Sequence, residues 1–181
     1  MMVYILLGTG FEEIEALTPV DLLRRAGIPV ATVGLNGSIV TGSHGIPVQA
    51  DLSLGEMDLT QLDMLVLPGG LGGVASIRAC PEALDAARFA WENGKFVAAI
   101  CAGPTVLADL HILDGLKTTC FPGCESGMGA ALCQEGRAVV RDGRLITGTS
   151  AGCAIPFALA LIAALKDEDT ASAIAKQIVI R

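Results

Sequence analysis

A cysteine stands where an apolar run breaks into small residues: Phe96-Val97-Ala98-Ala99-Ile100 leads into Cys101, and Ala102-Gly103-Pro104 follows. The run reads as a buried strand, and Pro104 suits the first turn of a helix, where a missing N–H costs nothing. Cys101 is therefore expected on a tight strand-to-helix turn, with unpaired backbone amides facing its sulfur. The positive helix end favours thiolate and predicts a lowered thiol pKa. The strained turn of a nucleophile elbow is built in the same way. Cysteine also fills space behind strands, but the small flanks and Pro104 favour a reactive thiol here.

Two glycine loops end apolar runs that should neighbour this one. Gly69-Gly70 follows Leu62–Leu67 and offers backbone N–H groups to a developing oxyanion. Gly8-Thr9-Gly10 begins like a dinucleotide fingerprint, but Glu13 stands where the third glycine belongs, and Glu12, Glu13 and Glu15 would repel a pyrophosphate. Glu12 and Glu13 read as acids that complement a helix dipole. Glu15 has two readings: the same one, or a buried carboxyl kept protonated for proton exchange. Gly148-Thr149-Ser150-Ala151-Gly152 has the form of a serine-hydrolase elbow, yet no histidine follows Ser150 in the order that fold requires. The two histidines, His44 and His111, read as surface or capping residues.

The elements that must position these groups alternate along the chain. Strands are predicted over Met2–Leu7, Ile28–Leu35, Leu62–Leu67 and Phe96–Ile100, and helices over Glu13–Ala26, Pro81–Asn93 and Pro104–Leu113. Pro19 should kink the first helix or start a new first turn. Ile39–Val40 and Ile46–Val48 suggest a β excursion. Ala138–Arg141 and Arg144–Thr147, joined by Asp142-Gly143, read as a hairpin with a type I′ turn. Helices over Ala154–Leu165 and Glu168–Val179 complete the pattern. Strand–helix alternation over short loops predicts a doubly wound α/β domain with its ligand site at the carboxyl ends of the strands.

Composition agrees. The 181 residues suit one domain spanning 1–181, and 52% are hydrophobic but only 4% aromatic, so the core must be aliphatic. A net charge of -7 leaves no basic stripe for nucleic acid. The longest apolar stretch, Ala151–Leu165, contains Pro156 and falls short of a bilayer span, and no secretory leader is evident, so neither a membrane nor an export route is expected. Six scattered cysteines fit reduced thiols in a cytoplasm. Cys120 and Cys124 form the one close pair, without the second pair or histidine that a zinc site needs.

With these residues assembled, the chain resembles the ThiJ/PfpI superfamily, in its DJ-one branch. The likeness runs through Gly10-Phe11-Glu12-Glu13-Ile14-Glu15, Pro19–Gly27, Val66-Leu67-Pro68-Gly69-Gly70, Ala98–Pro104 and Thr119-Cys120-Phe121-Pro122-Gly123. The resemblance implies a flavodoxin-like fold: a doubly wound, mostly parallel sheet with helices on both faces, in one domain of the class I glutamine amidotransferase-like type. It implies a homodimer that acts on a small carbonyl substrate without metal or organic cofactor. Cys101 matches the nucleophilic, readily oxidised elbow cysteine, and Glu15 the protonated acid hydrogen-bonded to its sulfur. Gly69, Gly70 and Ala102 match the backbone groups that line the pocket.

The activities implied are conversion of methylglyoxal to lactate (glyoxalase III), repair of early glycation adducts (deglycase), and, as an alternative, oxidative-stress sensing or a chaperone role. Ala102 replaces the histidine of the protease-like branch, which argues against a peptidase. A role in thiazole phosphate synthesis has no phosphate site behind it. Three departures mark the expected pocket edge: His44 where some relatives carry arginine, Cys120-Phe121 where some carry histidine, and Thr149 in a segment that replaces Ser-Arg-Gly-Pro-Gly. Cys120 is a candidate resolving thiol for Cys101.

Overall fold

The apolar runs form the centre of a computed structural model that describes residues 1–180. In chain order, β1 (Met2–Leu7) leads into α1 (Glu13–Arg25) and β2 (Val30–Gly34). An antiparallel hairpin of β3 (Ile39–Thr41) and β4 (Pro47–Gln49) stands apart from the main sheet, and β5 (Leu52–Ser53) returns to its edge. Then come β6 (Leu62–Leu67), α2 (Leu71–Arg78), α3 (Pro81–Glu92), β7 (Phe96–Ile100) and α4 (Pro104–Asp109). A short parallel pair, β8 (Lys117–Thr118) and β9 (Leu132–Cys133), precedes the hairpin of β10 (Val139–Asp142) and β11 (Leu145–Gly148). Helices α5 (Ala154–Leu165) and α6 (Glu168–Gln177) complete the fold.

The main sheet has the order β10-β11-β7-β6-β1-β2-β5. Every neighbouring pair in it is parallel except β10 with β11. This is the flavodoxin-like α/β arrangement, and the strand order reverses between β1 and β6, where a crevice opens at the carboxyl ends. Alternation along each strand divides the core. Val3, Ile5, Leu7, Val66, Ala98 and Ile146 pack against α1, α5 and α6. Tyr4, Leu6, Leu65, Leu67, Val97 and Ala99 pack against α2, α3 and α4. Helix α3 buries Ala83, Ala86, Ala87 and Ala90; a face so small lets the helix settle close to the sheet, so an aliphatic core closes with few aromatics.

Helix α2 does not stand out in the sequence, because Leu71-Gly72-Gly73 has poor helix propensity. Its glycines answer to packing. A Cβ on Gly73 would lie 2.7 Å from the Cα of Phe11, so only glycine lets α2 press against the loop after β1. Helix α1 runs without interruption through Pro19, so no new first turn begins there. Helix α4 ends at Asp109 rather than Leu113, since His111 takes a left-handed φ of 58° and the Ile112 N–H turns back to Leu107 O at 3.0 Å. Helix α6 ends at Gln177, two residues short of Val179, whose φ is 55°.

The β10–β11 hairpin forms one residue out of step with expectation. Asp142 pairs with Leu145, so Gly143 and Arg144 make the turn. Only Gly143 has positive φ, which rules out type I′ and fits glycine at the first central position of type II′. Arg144 donates to the carbonyls of Trp91 at 2.8 Å and Lys95 at 3.1 Å, with its guanidinium 4.2 Å from the Trp91 ring centroid. This clasp ties α3 to the amino ends of β7 and β11. Among the described residues no helix is long and apolar enough to cross a membrane.

Because Gly73 is where α2 meets the β1 loop, Gly73→Ala is expected to destabilise the fold by about 1–3 kcal/mol through overpacking. Chemical denaturation of the two proteins measures it; an unchanged midpoint would show that the loop yields freely.

Candidate active site

Three loops at the carboxyl ends of β1, β6 and β7 converge on Cys101. Its φ of +64° is unusual for a residue with a Cβ, and the sharp turn it makes is held from both sides. The Cys101 N–H donates to Gly148 O at 2.9 Å, and its carbonyl accepts from the Phe121 N–H at 2.9 Å. The backbone N–H groups of Gly70 and Ala102 point at the half-buried sulfur. Gly70 has φ +83°, the left-handed bend that turns its loop over the thiol.

Glu15, in the first turn of α1, is 1% exposed and faces that sulfur. Its Oε2 accepts from the Gly69 N–H at 2.9 Å, and the Ala151 N–H also reaches the carboxyl. Gly69 is wedged between the two side chains: a Cβ there would lie 2.6 Å from Glu15 Oε2 and 2.7 Å from Cys101 Cβ. The backbone itself thus forms the wall between acid and thiol.

Burial chiefly pushes the Glu15 carboxyl up to about 7, against the opposing hydrogen bonds from Cys101 and Gly69. Burial, then the charge and hydrogen bonding of Glu15, push the Cys101 thiol up to about 12, against the amides of Ala102 and Gly70. The thiol pKa lowered by a helix end, expected from sequence, is therefore corrected: two amides do not outweigh desolvation beside a carboxylate. The pair instead carries a single negative charge from about pH 7 upward. One form of that monoanion has the proton on Glu15 and the charge on sulfur.

A cavity of about 590 Å³ opens over Cys101, and its walls include Glu12, His44, Leu71, Ala102, Phe121 and Cys124. His44 sits in the β3–β4 loop, where its N–H donates to Glu13 Oε1 at 2.8 Å and its Nδ1 lies 3.0 Å from Glu13 Oε2. Burial raises the Glu13 carboxyl, but hydrogen bonds from the His44 ring, the backbone and Ser43 prevail and bring it to about 2. The hydrogen bond to Glu13, then the charges of Glu12 and Glu13, hold the His44 imidazole above its ordinary pKa. Glu13 thus fastens the β excursion over the site, a role that exceeds the dipole complement read from its position. Ligand atoms of Glu12, Glu13 and His44 lie within 4.8 Å of one another, but they are engaged with each other and with Ser43.

Of the three residues expected at the pocket edge, His44 alone lines the Cys101 cavity. Cys120 and Thr149 line an adjacent one of about 540 Å³, together with Cys133, Arg137 and Cys153. Thr149 Oγ1 donates to Arg137 O at 2.6 Å. Burial, then the charges of Cys133, Glu125 and Cys124, push the Cys120 thiol up to about 12. Ser150 opens a short 3-10 turn before α5, which is what the G-x-S-x-G spacing encodes here. Leu71, Cys124 and the Ala151 N–H join the site without a signal in their own residue types. Phe121, from the segment that the family resemblance marks, lines the Cys101 cavity where its neighbour Cys120 does not.

The DJ-1/PfpI family profile matches residues 1–164. The chain is 35% identical to the protein dj-1beta of Drosophila melanogaster over 178 residues, which cover 97% of this chain and 95% of that one. It is 33% identical to the deglycase PfpI of Pyrococcus furiosus over 153 residues, covering 84% of this chain and 92% of the relative. Among solved structures, a cysteine-to-alanine mutant of a DJ-1 superfamily protein from Salmonella typhimurium superposes with a TM-score of 0.93 at 33% identity, covering 99% of this chain and 98% of that one.

The shared charge sets an expected pH profile. Raising the pH through about 7 removes one proton from the Glu15–Cys101 pair, so Cys101 alkylation by iodoacetamide should rise with a midpoint near 7 and then level off. Glu15→Gln should abolish that step and leave one rise at higher pH. Peptide-resolved mass spectrometry reads both; identical profiles would contradict a shared proton.

Proposed function

The chain belongs to the DJ-1/PfpI family, and from that premise we propose that it converts small α-oxoaldehydes to 2-hydroxy acids by cysteine chemistry, as one domain spanning 1–181 and without a cofactor. The observation that carries the reading is a buried carboxyl, Glu15, set against a thiol on a strained turn beneath two convergent amides. The Cys101 thiolate attacks the aldehyde carbon, and the new oxyanion meets the N–H groups of Gly70 and Ala102. Glu15 gives its proton to that oxygen, which completes a hemithioacetal.

The Glu15 carboxylate then takes the remaining hydrogen of the former aldehyde carbon as a proton. The neighbouring carbonyl acidifies it, and the electron pair enters an enediolate. The proton returns to the adjacent carbon while the hydroxyl proton of the sulfur-bearing carbon passes to the neighbouring oxygen, which leaves a thioester beside a new hydroxyl. Water cleaves the thioester, releasing the 2-hydroxy acid and the thiol. The redox change is internal: one carbon is oxidised and its neighbour reduced. The same attack on the early adduct of an α-oxoaldehyde with an amine or thiol would give a deglycase activity, the activity in the name of the Pyrococcus relative. Ile14 and Ile155 are exposed along an α1–α5 groove, which supports the homodimer expected from the family resemblance.

Methylglyoxal loss and lactate appearance test the reading. Wild type should turn over, Cys101→Ser should fall to background, and Glu15→Gln should lose about 10²–10⁴-fold, the range for a positioned acid–base group. Equal turnover in all three would refute it.

A second reading, redox sensing, is favoured by the Glu15 pKa near 7, which leaves a protonated carboxyl to donate to sulfinate oxygens. Two hydroperoxide equivalents each transfer one oxygen to sulfur and leave as alcohol or water. Mild peroxide should add two oxygens to Cys101 before any other cysteine; prior oxidation of Cys120 or Cys133 would exclude this reading.

A further inference from the structure

The walls of the Cys101 cavity are unlike what the smallest α-oxoaldehydes require. Leu71, the first residue of α2, is 83% exposed, and Phe121 is 46% exposed; both face the cavity. A single exposed leucine carries no meaning. Here two large apolar side chains border one concave space over one thiol, and the backbone of each is joined to the site itself. Phe121 is bound to the elbow through its N–H, which donates to the Cys101 carbonyl at 2.9 Å. Leu71 follows Gly70, one of the two residues whose amides face the sulfur. The volume, about 590 Å³, is in the range of drug-sized ligand sites and leaves a three-carbon aldehyde surrounded largely by water.

Charge works in the same direction. Among the described residues no lysine or arginine lines the cavity. Glu12 and His44 line its rim, the buried Glu13 carboxylate holds the His44 imidazole from behind, and the Glu15–Cys101 pair adds a negative charge below. Even with His44 protonated, the balance is negative, so an anionic substrate meets repulsion where a neutral one meets none.

We infer that the cavity selects neutral α-oxoaldehydes bearing an aryl or branched alkyl group, with Leu71 and Phe121 as the specificity-determining side chains, an inference that rests on the α-oxoaldehyde reading above. The apolar substituent lies against these two side chains while the aldehyde carbon meets sulfur. Burying it displaces water from apolar surface on both partners.

Two experiments test this, one with turnover and one without. In the first, kcat/KM is measured for methylglyoxal, phenylglyoxal and 4-carboxyphenylglyoxal with wild type, Leu71→Ser and Phe121→Ser. Phenylglyoxal should exceed methylglyoxal by about tenfold or more, as expected for filling an apolar pocket. The carboxylated analogue should lose most of that gain, and both variants should shrink the ratio. In the second, Cys101 alkylation by phenacyl bromide, iodoacetamide and iodoacetate is followed by peptide mass spectrometry, with each rate divided by that of free glutathione. The order should be aryl, then small neutral, then anionic, and the aryl advantage should fall in both variants. If no aldehyde is turned over but this order holds, the reaction is wrong and the selectivity stands. If the order is absent, or survives unchanged in both variants, the selectivity is overturned even when methylglyoxal is consumed.

Discussion

A buried carboxyl meets a half-buried thiol, and the pair admits one negative charge near neutrality. Much of the surrounding structure answers to this constraint. A buried carboxylate is tolerable only when hydrogen bonds replace its water, and Glu15 receives them from the Gly69 and Ala151 backbones. The sulfur likewise receives amides from Gly70 and Ala102. Backbone donors add no side-chain bulk and bring no formal charge. They support the charge without collapsing the pair into a fixed ion pair, as a lysine or arginine at that place would. The resting proton lies on sulfur, the less acidic of the two groups, with the carboxyl close enough to take it up.

Such an arrangement needs three loops brought within contact of each other, and the parallel sheet supplies them. The reversal of strand order between β1 and β6 leaves the β1 and β6 loops free to meet. They are joined directly, the Glu12 N–H donating to Gly69 O at 3.1 Å. The β3–β4 hairpin is tied in from above: the Gly10 N–H donates to Thr41 O at 2.8 Å and the Ser43 N–H to Phe11 O at 2.8 Å. Glu13 and His44 form the charged part of the same connection. The elbow strand β7 lies beside β6, and β11 on its other side takes the Cys101 N–H through Gly148.

Strands buried on both sides announce themselves as apolar runs, broken here only by Asp63 in β6, so β1, β6 and β7 were legible, as was the elbow that ends β7. The cysteine and its neighbour Ala102 could be located for the same reason: strand, small residues and proline are local signals. What stayed hidden depends on distant contacts. The glycines of α2 look like a loop until Phe11 is seen pressed against Gly73. The pair β8 and β9 is too short to have a period. The Glu15–Cys101 environment misled sequence reasoning about the thiol, because helix-end amides are local while desolvation and the opposing carboxylate are not. Cys120 and Thr149, near the site in sequence pattern, belong to the neighbouring cavity, and their loops reach it together with Arg137 and Cys153.

The clasp between Arg144 and Trp91 has a practical consequence of its own. Trp91 is the sole tryptophan of the chain, and it lies at the amino ends of β7 and β11, across the sheet's length from the thiol. A guanidinium lies 4.2 Å from its ring centroid, a contact that requires α3 to be docked. Selectively excited tryptophan emission is thus expected to report whether the scaffold is folded rather than what occupies the other end.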